Sequence, residues 1–176
     1  MNQPDLNPKA DVWSAAGTLL AQQNRAPRLT RLPDVQGARL SFAQERLWLL
    51  EQMEPGAPYY NVPLSWDIAG DLNVLALQRS LDSLVQRHEI LRTSFPLKGS
   101  EPVQQINDWH PQLPVVDVSP AANPAKPAAT DLSEFIRLPF DLANGPLLRA
   151  RLYQRAPAEH CLVIVLHQMI FDGASL

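Results

Sequence analysis

The side chains best suited to chemistry stand near the C-terminal end of the chain, in the run His167-Gln168-Met169-Ile170-Phe171-Asp172-Gly173. A neutral imidazole offers an acceptor nitrogen near physiological pH, so it can take a proton or orient a nucleophile. Such help is typically worth about 100- to 10,000-fold in rate. A glutamine amide accepts and donates hydrogen bonds but is not a base at neutral pH. Asp172 before Gly173 is a turn signal in its own right. Elsewhere, His88 and Glu89 fall at a helix end and read as architectural. His110 and His160 read as loop residues without ligand-spaced companions, so no metal site is expected. Cys161 opens an apolar run and reads as a small buried side chain rather than a nucleophile.

These residues need elements to hold them. Cys161-Leu162-Val163-Ile164-Val165-Leu166 is apolar without alternation, the pattern of a strand covered on both faces, and the strand is predicted over Cys161 to Ile170. Leu147 to Gln154 is its antiparallel neighbour, joined to it by a polar loop around Pro157. Asn61 to Ala69 alternates, with Val62, Leu64, Trp66 and Ile68 on one face, and reads as another strand. Ser41 is an N-cap candidate for a helix over Ala43 to Met53, with Ala43, Leu47, Leu50 and Met53 as its apolar stripe, stopped by Glu54-Pro55-Gly56-Ala57-Pro58. Asn73 is a second N-cap candidate, and Val74, Leu77, Leu81, Leu84 and Val85 mark a helix running to Arg87 or His88. Arg92 to Pro96 pairs with Pro102 to Ile106 across a Lys98-Gly99-Ser100 turn. Leu113 to Val118 is a further short strand, Ser119 to Thr130 a surface connection, and Leu132 to Leu138 a short helix stopped by Pro139. Helices and strands mix without a βαβ rhythm, and no glycine-rich phosphate loop appears. The expected fold is an α/β (α+β) sandwich, a mixed sheet flanked by helices. Ahead of it, residues 1–37 read as a leader and linker, with a short amphipathic helix possible over Asp11 to Gln23, and residues 38–176 as the folded domain.

Composition narrows the functional classes. With 176 residues, 45% apolar and 19% charged, the chain has enough apolar material for one packed core. A net charge of -3 and scattered Lys and Arg argue against a nucleic-acid partner. A single cysteine rules out an internal disulfide framework and fits a reducing compartment. No stretch approaches the roughly 18 apolar residues of a membrane helix. No secretory signal is evident at the N-terminus, so the expected location is cytoplasmic.

Four stretches, in order, resemble the condensation domains of nonribosomal peptide synthetases. Ser41-Phe42-Ala43-Gln44-Glu45-Arg46-Leu47-Trp48 is similar to the family's opening S-x-A-Q-x-R-L-W motif. Arg87-His88-Glu89-Ile90-Leu91-Arg92-Thr93-Ser94-Phe95 matches R-H-E-x-L-R-T-x-F in full. Pro139-Phe140-Asp141-Leu142, followed by Gly145-Pro146-Leu147-Leu148-Arg149, is a family-like turn and strand. The segment at His167 is similar to H-H-x-x-x-D-G. The resemblance runs from about Leu40 to the last residue. It implies the N-terminal lobe of a chloramphenicol acetyltransferase-like fold. In that family two lobes meet at the histidine motif, and substrates enter a tunnel as thioesters on the phosphopantetheine arms of carrier proteins. The acceptor's amine attacks the donor's thioester and an amide bond forms. No directly bound cofactor is implied. The implied partners are peptidyl or acyl carrier domains and a complementary C-terminal lobe or larger synthetase.

The resemblance also assigns roles and exposes departures. The second histidine of the motif, which the family uses at the amine, is Gln168 here. The expectation is therefore loss of acid–base help, leaving binding and orientation. His167 matches the first histidine, whose implied role is mainly structural. Asp172 matches the residue that braces the loop through a salt bridge, with Arg46 as the leading partner and Arg87 and Arg92 as alternatives. Gly173 lets the backbone turn closely around the tunnel. The family's domain is well over twice as long, so the C-terminal lobe is absent from this chain, and alone it is expected to be inactive. An apolar surface left at the missing interface would favour dimerisation, a partner chain or poor solubility. Two alternatives remain beside this reading: a non-catalytic carrier-protein or domain-interaction module, and an acyl-CoA-dependent acyltransferase of the same superfamily.

Overall fold

In the computed structural model, residues 37–119 and 128–173 are described. They belong to the unit Val35–Leu176. The expected helix over Asp11 to Gln23, and most of the linker before Gly37, lie outside the described residues.

The architecture centres on a four-stranded mixed sheet formed by β2 (Asn61–Ala69), β8 (Glu159–His167), β7 (Leu148–Ala156) and β6 (Val115–Asp117), in that order. β8 pairs antiparallel with both β2 and β7, whereas β6 runs parallel to β7. A smaller group surrounds β5 (Glu101–Ile106), which pairs antiparallel with β1 (Ala38–Arg39), β3 (Thr93–Ser94) and β4 (Leu97–Lys98). The β4–β5 turn carries Gly99 at φ +69°, a left-handed position suited to glycine. Three helices complete the fold: α1 (Phe42–Met53), α2 (Val74–Arg87) and α3 (Ala128–Arg137).

Why β8 lacks alternation is now plain. Its register pairs Leu64 with Ile164 and Ala150, and Trp66 with Leu162 and Leu152, on one face. Leu77 and Leu81 of α2 pack on that face. The opposite face carries Cys161, Val163 and Val165, against Phe135, Leu132 and Ile136 of α3. On the α2 face Leu64, Leu162 and Ile164 are half-buried and Trp66 is 45% exposed, whereas the α3 face is dry at Val163 and Val165, so the cover that the apolar run predicts is complete on one side only. Burying each such aliphatic side chain is worth about 1.5–3 kcal/mol.

Local signals set the helix starts. The Ser41 hydroxyl accepts from the Gln44 N–H, and the Gln44 side chain accepts from the Ser41 N–H, a complete capping box. Asn73 caps α2 by accepting from the Ala76 N–H at 2.9 Å. Helix α2 ends with His88 as its C-cap.

Several expectations are corrected. The apolar stripe of α1 does not include Met53, which is 72% exposed, nor Ala43. The inward side instead carries the buried Glu51, whose carboxylate accepts from the Gly56 N–H at 2.7 Å and closes the turn after the helix. Helix α3 begins at Ala128, inside the predicted surface connection; residues 120–127 of that connection lie outside the described residues. His160 is not a loop residue: it lies in β8 and is buried. Finally, β8 stops at His167 rather than Ile170, which puts the site on a turn.

Candidate functional site

At the end of β8 the backbone is held from three sides. The His167 N–H donates to the Leu147 carbonyl, the Gln168 N–H to the Tyr60 carbonyl, and the Ile170 N–H to the His167 carbonyl. A tight turn results, in which adjacent side chains take opposite directions. His167 points inward and is 2% exposed, Gln168 is exposed, and Met169 is again buried.

The His167 ring sits in an aromatic slot. Tyr60 meets it edge-on at 6.1 Å and Phe140 at 6.0 Å between ring centroids. Its Nδ1 accepts from the Met169 N–H at 3.1 Å, so the neutral ring carries its proton on Nε2. Burial, aided by the nearby charge of Arg149, lowers its pKa to about 4. The imidazole therefore stays neutral at physiological pH, and one of its nitrogens is already used within the turn.

Gln168 faces the other way, into a depression of about 300 Å³ shared with Ser41, Gln44, Ile90 and Asp172. Here the first and last family-like stretches meet. Gln44, besides closing the capping box, donates from Nε2 to the Met169 carbonyl at 3.2 Å. The start of α1 is thus tied to the turn that displays Gln168. A second, strongly apolar groove of about 430 Å³ lies between α2 and the sheet, lined by Leu64, Trp66, Leu84, His88, Ile90 and Phe171.

Behind the slot, Arg149 of β7 donates to the carbonyls of Phe135, Ile136, Leu138 and Pro139 at the end of α3. Its guanidinium stacks on the Phe140 ring at 3.9 Å. Burial, with the neighbouring Arg151, lowers its pKa to about 10, so it remains charged. Asn61, the register partner of His167, donates to two of the same carbonyls, Ile136 and Leu138.

The structure brings His167, Gln168, Asp172 and Gly173 together at one turn, with Asp172 and Gly173 exposed. Arg46 is an exposed residue of α1, the helix whose start borders the depression. Arg87 is exposed in the last turn of α2. Arg92 donates to the Asn107 carbonyl at 3.1 Å and lies 4.0 Å from Glu89, so its guanidinium braces the β3–β5 region. The third family-like stretch makes a turn in which Asp141 accepts from the Ala143 and Asn144 N–H groups and from the Asn144 side chain. That last bond, with the two from the backbone, holds its carboxyl below the usual range against the opposing effect of burial.

Sequence reasoning missed Gln44, Asn61, Phe140 and Arg149 as parts of the site. The S-x-x-Q spacing of Ser41 and Gln44 is a readable capping-box signal. Phe140 and Arg149 fall in the third family-like stretch, but only the fold shows what they touch, and nothing local identifies Asn61. Cys161 is buried, and burial pushes its thiol pKa up, away from nucleophilic use. His110 is exposed near Asp82 and Asp108. Among the described residues, no group of three or more His, Cys, Asp or Glu could hold a metal ion, and no helix is long and apolar enough to cross a membrane.

Comparison with known proteins bears on the family and the fold. The family described as "Condensation domain" matches residues 35–176. The chain is 42% identical over 154 residues to phosphinothricin tripeptide synthetase PhsC of Streptomyces viridochromogenes, covering 85% of this chain and 14% of that protein. It is 38% identical over 165 residues to the dimodular nonribosomal peptide synthase of Bacillus subtilis, covering 94% and 7% respectively. Among solved structures, the starter condensation domain of rhizomide synthetase RzmA superposes with a TM-score of 0.72 at 27% identity, over 79% of this chain and 34% of that one. The X-domain in its complex with OxyB from teicoplanin biosynthesis gives 0.64 at 31% identity, over 79% and 29%. The chain thus spans a small part of the relatives it matches. With its fold and its motif order both accounted for, it belongs to the condensation-domain family of nonribosomal peptide synthetases.

Proposed function

We propose that residues 38–176 act as the N-terminal lobe of a condensation domain that binds and orients its substrates without supplying a base. The observation that carries this reading is the opposite placement of two neighbours. His167 is buried, neutral and engaged by the Met169 N–H, while Gln168 faces the depression. In the family reaction an acceptor amine attacks a carrier-bound thioester, the C–N bond forms and the C–S bond breaks. The Gln168 amide oxygen can accept from the amine N–H and hold it in line. It cannot take the proton, which must leave with the departing thiolate or through solvent.

On this reading the substrates arrive on phosphopantetheine arms of carrier domains, no further cofactor is bound, and a C-terminal lobe or larger synthetase completes the tunnel. Asp172 braces the turn through Arg46, residues 1–37 form a leader, and the setting is the cytoplasm. A non-catalytic interaction module is the second reading. It is favoured by Gln168 itself and by the likeness to an X-domain solved in complex with OxyB.

The test joins this lobe to a C-terminal lobe and supplies loaded donor and acceptor carriers, with product followed by intact mass. Slow formation of the amide, raised about 100-fold or more by Gln168→His, is the expected result. No gain from Gln168→His would overturn the assignment of position 168 as the defect. Absence of product from every variant, with retained carrier binding, would favour the interaction module.

A further inference from the structure

We propose that Arg149 is a positioning residue of this site, an inference that deepens the functional reading above and rests on it only for its catalytic consequence. Arg149 belongs to β7, the neighbour of β8, and reaches across the sheet's α3 face to the end of that helix. Four carbonyls at the α3 terminus accept from one guanidinium. A helix C-terminus leaves such carbonyls without intrahelical partners and favours a cation beside them. One planar fork therefore holds the end of α3, which Pro139 stops. The next residues are Leu138, Pro139 and Phe140, so the same contact fixes Phe140.

The Phe140 ring is held between two groups. The Arg149 guanidinium lies 3.9 Å from its centroid on one side, and the ring meets His167 edge-on at 6.0 Å. Tyr60 confines the imidazole from another side, and the Tyr60 carbonyl accepts from the Gln168 N–H. Arg149, Phe140, His167 and the Met169 N–H thus form a continuous line of contacts ending within the turn that displays residue 168. Lysine cannot replace the fork: it has one nitrogen and no plane to stack. Arg149 touches no reacting atom in this arrangement. It acts through Phe140 and His167. Its charge also adds to burial in keeping the imidazole neutral, which preserves Nδ1 as the acceptor for Met169. Arg151, the next charge on the same face of β7, instead pairs with Asp131 and stacks on Phe135, so it does not duplicate this role.

The test uses amide hydrogen exchange and histidine nitrogen spectra of the full 176-residue chain. Arg149→Lys is expected to speed exchange of the Met169 amide about tenfold and to disturb the His167 tautomer signal, while the Val163 amide at mid-strand keeps its protection. Unchanged Met169 exchange, or an equal loss at Met169 and Val163, would overturn the positioning role, the second because it marks general destabilisation. Should the lysine variant fail to fold, Phe140→Leu removes the intermediate ring and must produce the same local loss at Met169. An unaffected Met169 amide there would sink the proposal equally. In a lobe-completed Gln168→His domain, Arg149→Lys is expected to lower kcat about 100-fold with KM for the loaded carriers within about twofold. If that completed domain makes no product even with Arg149 present, the functional reading fails while the exchange experiment still decides the role of Arg149.

Discussion

The turn after β8 has two sides built on different principles. Behind it, the slot around His167 is filled: two aromatic rings, a neutral imidazole with an assigned tautomer, and an arginine fork tied to four carbonyls. In front of it, the depression around Gln168 is open, polar at its rim, and held chiefly by one side-chain amide, Gln44, on the Met169 carbonyl. One residue step along the backbone separates the two. The contacts are concentrated on the slot side, and on the proposed reading the substrates meet the open side. If the proposed reading holds, a change at position 168 alters activity while leaving the fold untouched.

The largest effect that tests this division is His167→Ala. The substitution empties space between Tyr60 and Phe140 and leaves the buried Met169 N–H without its acceptor. A loss of about 2–4 kcal/mol is expected, measured by urea unfolding of the full chain. A loss below about 1 kcal/mol would mean that the slot is not the load on which the turn depends.

Acid sharpens the same point. His167 has a pKa of about 4 in the fold, against 6.5 when unperturbed. Between those values the unfolded chain binds a proton that the folded chain does not. Stability from this group is therefore complete above about pH 6.5, falls as the pH drops toward 4, and levels off below it, with a total of up to about 3 kcal/mol. Comparison of unfolding free energies for the wild type and His167→Gln between pH 7 and pH 4 isolates the contribution. Parallel curves would contradict the buried neutral state.

Gln44→Ala is expected to be milder, at about 1–2 kcal/mol. It opens half of a capping box and cuts the tie from α1 to the Met169 carbonyl. Because that tie crosses the depression, exchange of the Ile170 amide should rise while the slot-side Tyr60–Gln168 hydrogen bond keeps the Gln168 amide protected.

The two sides also differ in how far they could be read from sequence. The frame of the site was legible: alternation marks β2 from Asn61 to Ala69, Ser41 and Asn73 mark the helix starts, and the unbroken apolar run marks β8, although its α2 face is only half-covered. The turn residues were placed by resemblance, with the strand end three residues too far along. What stayed hidden are polar side chains with distant partners. Periodicity tells which side of a helix is apolar, not that Glu51 will turn inward to close a loop at Gly56. Nor does it show that Arg149, an interruption of an apolar strand, finds its partners at the end of a helix more than ten residues earlier. An inward His160 looks like a loop residue because neighbouring Pro157 and Glu159 give the segment a polar character. Such groups are fixed by where backbone carbonyls and N–H groups remain unpaired, which only the assembled fold determines.

The smallest stability change bears most directly on function. Gln168→Ala removes an exposed amide and leaves the backbone N–H that donates to the Tyr60 carbonyl, so the slot behind the turn should stay as it is. Unfolding free energy should stay within about 0.5 kcal/mol of the wild type, as for surface changes generally. The lobe-completed domain should nonetheless lose about 2- to 10-fold in amide formation, the value of one hydrogen bond of about 0.5–1.5 kcal/mol to the attacking amine. A stability loss comparable to that of His167→Ala would erase the distinction between the two sides. An unchanged rate with unchanged stability would leave the distinction standing but deny Gln168 any part in orienting substrate, because a side chain that neither supports the fold nor alters the reaction can only be a bystander facing the depression.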